Sequence, residues 1–431
     1  MSFSIASVMS MLLLLISCTN GNVYEKVVGL PIANDTIAFS IMGEPSNGVL
    51  IVNDTIDLQG KKCTIPDGIT IKIKGGYIKD GTLVGNMTQL KSSKPCFNRV
   101  RILGTWNVPI IKSSLFDDLT YDNALQDVVA LSHPSIKNKI VIKEGNYQVS
   151  ALHNNSACVT INSNTEFVMD GNIKMAPNSF RCYNIILVTG DNIKIRGKGT
   201  VKGDKFTHTG KDGEWGMGIM FRNAHNASVA GLTVRECWGD CIYVGDRSTD
   251  ISIENCKLDH GRRQGISITS ANGVIIKNCK ITNVSGTSPE FAIDVEPNKG
   301  EYVGNVVVEH VTALNCVGGF QAVVYADNAS IGSVVVQNCN IYSDGQYGLK
   351  FARCQSALAE HNAITRADNK VVVLCVSVGN LVVRNNTMQY DYEMPERVKS
   401  AFKRMALIPS EVITLNGCEN PVIENNIVCQ K

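Results

Sequence analysis

"ISIENCKL" (residues 251–258) and "VIIKNCKI" (residues 274–281) are one pattern written twice: apolar, any residue, apolar, then a charged residue, Asn-Cys-Lys and a closing apolar residue. Working outward, the same frame returns as "VVVEHVTA" (306–313), "VVVQNCNI" (334–341), "ALAEHNAI" (357–364) and "LVVRNNTM" (381–388). Its marker residues are Asn255, Asn278, His310, Asn338, His361 and Asn385, at steps of about 23 to 32 residues, the spacing of a repeat architecture. Between the markers runs a second set of short strands: "GIMF" (218–221), "CIYV" (241–244), "GISI" (265–268), "AIDV" (292–295), "AVVY" (322–325), "GLKF" (348–351), "VVVL" (371–374) and "VITL" (412–415). A unit of two or three such strands cannot bury its apolar side alone, but stacked units can. The pattern therefore predicts a parallel β-helix whose coils lie about 4.8 Å apart. A β-propeller would need longer four-stranded blades at a regular period of about 40 residues. The Asn markers read as an inward ladder at the turns, with side-chain amides pairing along the stack.

Composition agrees with an all-β chain. The 431 residues include 37 Gly and few aromatics, and 41 Lys+Arg balance 39 Asp+Glu for a net charge of +2. That balance argues against a general polyanion or nucleic-acid binder, so selectivity for an acidic ligand must be local. Residues 1–18 form an apolar export signal, and Leu15-Ile16-Ser17-Cys18 resembles a bacterial lipobox, which makes Cys18 the candidate lipidation site and the cell envelope the expected location. Of the other 14 cysteines, Cys237, Cys256, Cys279 and Cys339 end short strands at corresponding places, which predicts stacked buried thiols rather than a disulfide framework. Residues 19–115 read as a β-rich module. "DDLTYDNALQDVVALSH" (117–133) carries helical spacing after an Asp/Thr start and predicts a short capping helix. Residues 116–431 hold the β-helix, with "EMPERVKSAFKRMA" (393–406) as a helical excursion.

In the second strand set, alternation turns Ile219, Ile242, Ile266, Ile293, Val323 and Leu349 inward and Met220, Tyr243, Ser267, Asp294, Val324 and Lys350 outward. A further outward column reads Arg222, Gly245, Thr269, Glu296, Ala326 and Ala352. Loops deliver more polar groups to this edge: His208, Glu214 and Trp215 from "GDKFTHTGKDGEWG", Trp238 and Asp240 from "ECWGDC", and His260, Arg262, Arg263 and Gln264 from "DHGRRQGISIT". Mixed charges with Trp for sugar stacking suit an extended carbohydrate.

The segment 203–298, with "GEWGMGI", "WGDCIYVG", "RRQGISI" and "AIDVEPN", resembles bacterial right-handed β-helix proteins grouped with pectate lyases and polygalacturonases. The resemblance implies a right-handed solenoid acting on a polysaccharide. It does not bring over the polygalacturonase triad, because "WGDC" has a single Asp and "RQG" stands where that family places a His motif.

Two chemistries fit the residues. A lyase would use Arg262, Arg263 or Arg222 to hold a uronate, His260 or His208 as base and Tyr243 to protonate the leaving oxygen. A glycoside hydrolase would pair Asp240 with Asp294 or Glu296. Glu214, Trp215, Trp238, Gln264, Glu296 and Lys350 complete the expected substrate-binding set. The lyase is favoured because the cations find a use on an acidic glycan, and on that reading their removal would lower activity without lowering stability. A glycan-binding or structural β-helix without catalysis is the third reading. No cofactor is required by the residues, although calcium is a candidate partner for a uronate carboxylate.

Overall fold

A computed structural model of the chain describes residues 30–367, 371–390 and 412–430. Cys18 and the excursion at 393–406 lie outside the described residues. From Ile110 onward the strands stack in parallel into a β-helix with three faces. One coil consists of Ile242–Gly245 on the first face, Ser248–Glu254 on the second and Lys257–Asp259 on the third. Ile266–Ile268, Ala271–Lys277 and Lys280–Thr282 repeat the order in the next coil. Cys182–Gly197 and Trp215–Ala230 run through the first two faces without a break.

The inward ladder of the first face runs Ile219, Ile242, Ile266, Ile293, Phe320, Leu349, Val373 and Ile413. All of these are buried in one continuous core. Phe320 stands where Val323 was expected, and Val323 pairs three positions further on, with Ala352. The cause lies in the column just before the ladder, where Gly265, Gly319 and Gly348 stand. A Cβ on Gly265, Gly319 or Gly348 would come within 2.5, 2.5 and 2.3 Å of Ile281, Ile341 and Ile364 Cγ2 on the third face. A side chain at Gly319 would collide there, although Cys241, Ala292 and Val372 hold the same column in other coils, so "GGFQAVVY" registers on Gly319 rather than on its apolar run. Gln321 thereby takes the outward place expected for Val324.

The marker residues also differ from expectation. Asn255, Asn278, His310, Asn338, His361 and Asn385 adopt left-handed backbone at φ 54–56°, where Asn is among the least strained non-glycine residues. This turns their side chains away from the core, and the inward position is the next residue. It is occupied by Cys256, Cys279 and Cys339, then by Asn362, Asn386 and Asn426. There the amide ladder does form: Asn362 Nδ2 donates to Asn386 Oδ1, and Asn386 Nδ2 to Asn426 Oδ1, each at 2.9 Å. Cys237 belongs to a different turn, and the described cysteines are free thiols.

Strands between Thr36 and Asp118 also pair in parallel, so the stretch before the main coils is itself a stack. The short helix, Ala124–Val129, lies against both parts. Its buried Asp127 accepts from the Ile102 N–H at 2.9 Å and from Tyr121 Oη at 3.0 Å, and pairs with Arg101 at 3.2 Å. The helix starts after Asn123, whose side chain bonds Ser150 instead of capping the first turn. Among the described residues, no helix is long and apolar enough to cross a membrane.

Candidate functional site

The outward column of the first face reads Met220, Tyr243, Ser267, Asp294, Gln321 and Lys350. Asp294 is thus two strands, or about 10 Å, from both Tyr243 and Lys350. Glu296 follows two residues after Asp294 on the same side, its N–H continuing the ladder to Ile268 O at 3.0 Å. Although these residues point away from the core, Asp240, Asp294 and Glu296 are only 0%, 2% and 8% exposed. Arg263 and Gln264, from the loop before Ile266, lie against Asp240 and Asp294.

Arg263 is the charge at the centre of this group. Its guanidinium approaches Asp240 at 3.4 Å and Glu214 at 3.8 Å. Burial works against its positive charge, but the fields of Asp240, Asp294, Glu214 and Glu296 outweigh burial and hold it firmly protonated. Gln264 Nε2 and Gln321 Nε2 each donate to Asp294 at 2.8 Å, one to each carboxyl oxygen, and Gln264 Oε1 accepts the Phe291 N–H at 2.7 Å. Asp294 and Glu296 are neighbours on the same side of one strand, and each disfavours the ionised form of the other. Burial, then the charge of Glu296, pushes the Asp294 carboxyl up, and burial does the same to Glu296. Burial pushes Asp240 up to about 6 against the pull of Arg263. Burial also pushes the Tyr243 phenol up to about 12, its Oη bonded to Thr269 Oγ1 at 2.7 Å.

Other expected site residues are engaged differently. His208 is enclosed: its Nδ1 meets Asp204 Oδ2 at 2.9 Å and its ring stacks on Trp238 at 3.8 Å. Asp204 also accepts from the Tyr183 hydroxyl and from Asn178 Nδ2 at 2.8 Å. The Arg262 guanidinium lies 3.7 Å over Trp238 and donates to Gly213 O at 3.1 Å. Trp238, with His208 and Arg262 on it, presents no free face for a sugar. Arg222 pairs with Asp246 at 2.9 Å. His260 sits in a left-handed turn, half-buried, against Asp259 at 2.8 Å. The expectation that the Arg262–Arg263 cations wait for substrate charge therefore gives way to internal use of both. Glu214 and Trp215 remain half-buried at the rim.

Gln321, Tyr325 and Tyr347 join the site without having been singled out. The glycine column would have found Gln321, and Tyr325 and Tyr347 are revealed by their contacts with Lys350. Among the described residues, no three His, Cys, Asp or Glu side chains group as metal ligands. Both Asp294 oxygens already accept N–H bonds from Gln264 and Gln321.

The model of the family described as the right-handed β-helix region matches residues 135–331 and 217–388. YclG of Bacillus subtilis is 31% identical over 163 residues, 33% of this chain and 28% of that protein. The prophage-derived YorA of the same organism is 25% identical over 162 residues, 32% of this chain and 28% of that protein. The match thus spans little more than a quarter of either relative. Among solved structures, the Dettilon tailspike protein gp208 is similar with a TM-score of 0.50 and 15% identity, over 72% of this chain and 59% of that one.

Proposed function

Because the chain belongs to the right-handed β-helix family, a scaffold that presents outward columns along a straight face, we propose that its first face is the active site of a carbohydrate-active enzyme. We propose further that it cleaves a polysaccharide by acid–base chemistry between carboxyl groups. One observation carries this reading: three buried carboxyl groups, Asp240, Asp294 and Glu296, stand along this face, and burial raises the proton affinity of each, that of Asp240 to about pH 6. Glycoside hydrolysis needs one carboxyl group protonated to meet the leaving oxygen and another ionised to activate water or attack. Buried carboxyls with unequal proton affinities supply both near neutral pH. Gln264 and Gln321 fix the Asp294 carboxyl, and Arg263 keeps Asp240 from losing its charge altogether.

β-Elimination is the second reading, favoured by Tyr243, whose phenol stays protonated at neutral pH and stands on the same column as Lys350. It ranks below hydrolysis because Arg222, Arg262 and Arg263 already have partners in the protein. Incubating the full chain with pectic, glycosaminoglycan, alginate and neutral polysaccharides tests both. Hydrolysis gives saturated ends, elimination gives ends absorbing through a new double bond, and no product from any of them supports a binding or structural protein. On the hydrolytic reading, Asp294→Asn or Glu296→Gln lowers turnover about 10²- to 10⁴-fold, the usual worth of a positioned acid or base.

We also propose that Cys18 carries lipid and tethers the protein to a bacterial envelope, on the strength of "LISC" after an apolar run. Cys18→Ala then releases the protein from the membrane fraction, and an unchanged distribution rejects the tether.

A further inference from the structure

Lys350 stands on the outward column two strands beyond Asp294. Its Nζ donates to Tyr325 Oη at 2.6 Å and lies 5.3 Å from the Tyr325 ring centroid and 5.7 Å from that of Tyr347. Arg222 and Arg263 of the same face pair with carboxylates, whereas Lys350 has no carboxylate within ion-pair distance among the described residues. Its positive charge favours the ionised forms of Asp294 and Glu296. Tyr325 is 53% exposed, an aromatic surface open to solvent beside a cation. An ordinary solvated lysine needs no aromatic neighbours. Two rings and a phenol hydroxyl around one half-buried ammonium hold its position beside the exposed Tyr325 ring.

We propose that Tyr325, Lys350 and Tyr347 form a subsite for an anionic sugar unit, the Lys350 ammonium and Tyr325 hydroxyl taking the anion while the Tyr325 ring stacks on the sugar. The inference rests on the reading of this face as a glycan site and gives the substrate class as a chain carrying carboxylate or sulfate groups. Stacking is tolerant of sugar identity, whereas the charge-assisted contact separates acidic from neutral chains.

Binding, measured apart from cleavage, tests it. The full chain is titrated calorimetrically with oligogalacturonate, with its carboxyl-reduced counterpart and with a sulfated galactan oligosaccharide. Wild-type protein prefers one or both anionic probes over the neutral one, and the preference fades with added salt. Lys350→Met lowers affinity for the preferred anionic probe about tenfold to a hundredfold and leaves neutral binding unchanged. Lys350→Arg keeps the preference, and melting temperatures confirm that both variants fold. Equal affinity for charged and neutral probes, binding of none of them, or a Lys350→Met variant that keeps the preference overturns the subsite. An anion preference without any cleavage leaves the subsite standing and overturns hydrolysis; cleavage indifferent to charge does the reverse.

Discussion

Arg263 is one buried guanidinium serving several carboxyl groups, with Asp240 at 3.4 Å and Glu214 at 3.8 Å. Removing one member of a buried ion pair leaves an uncompensated charge, which costs about 3–5 kcal/mol. Arg263→Met is therefore expected to destabilise the protein by that amount in denaturant titrations, opposite to the expectation for a cation held free for substrate. Asp240 offers a pH signature. The folded protein holds its proton up to about pH 6, whereas an unfolded aspartate releases it near 3.8. Between those values the folded state binds more protons than the unfolded one, so this group's contribution to stability falls as pH rises, by about 3 kcal/mol in all, and levels off above pH 6. Asp240→Asn abolishes that component. Comparing the pH 4 to pH 7 stability difference of variant and wild type checks it, and identical differences reject the raised affinity. The composition of this cluster was legible, since Asp240, Arg263, Asp294 and Glu296 all stood out as candidates. Their partnership stood only as an alternative to substrate binding, because sequence does not decide whether a loop arginine faces solvent or the carboxyls one coil away.

At the scale of the strand, alternation found the first-face ladder but misplaced "AVVY". Ala322, Val323 and Val324 are apolar on both alternations, so the hydrophobic pattern alone leaves the register open there. The register is decided by Gly319, whose missing side chain makes room for Ile341. Gly265 holds the same corner in an earlier coil, against Ile281. Gly265→Val is expected to cost about 1–3 kcal/mol through overpacking, seen as a lowered melting temperature. Gly60, where a Cβ meets nothing within 4 Å, is no guide to that corner, and its positive φ of 70° makes it sensitive for a different reason. The Asn markers were legible as turns, yet the inward ladder is Asn362, Asn386 and Asn426, one residue later. A left-handed residue reverses which neighbour faces the core, and no hydrophobic period reports that.

Across the whole molecule, the fold was the most legible property. Each coil repeats the same buried positions, so a single pattern such as "VIIKNCKI" is tested again at every turn. The site has no such redundancy: Glu214, Asp240, Arg263, Asp294 and Gln321 come from successive coils and their loops, each group occurring once. If this face cleaves a glycan by hydrolysis through the carboxyls of Asp294 and Glu296, the products carry its signature. Mass analysis of the products from wild-type and Asp294→Asn proteins of equal melting temperature, on whichever polysaccharide the wild type degrades, tests it most directly. Saturated fragments, with one water added for each bond cut, are expected from wild type and almost none from the variant. Unsaturated fragments, or undiminished cleavage by Asp294→Asn, would contradict it.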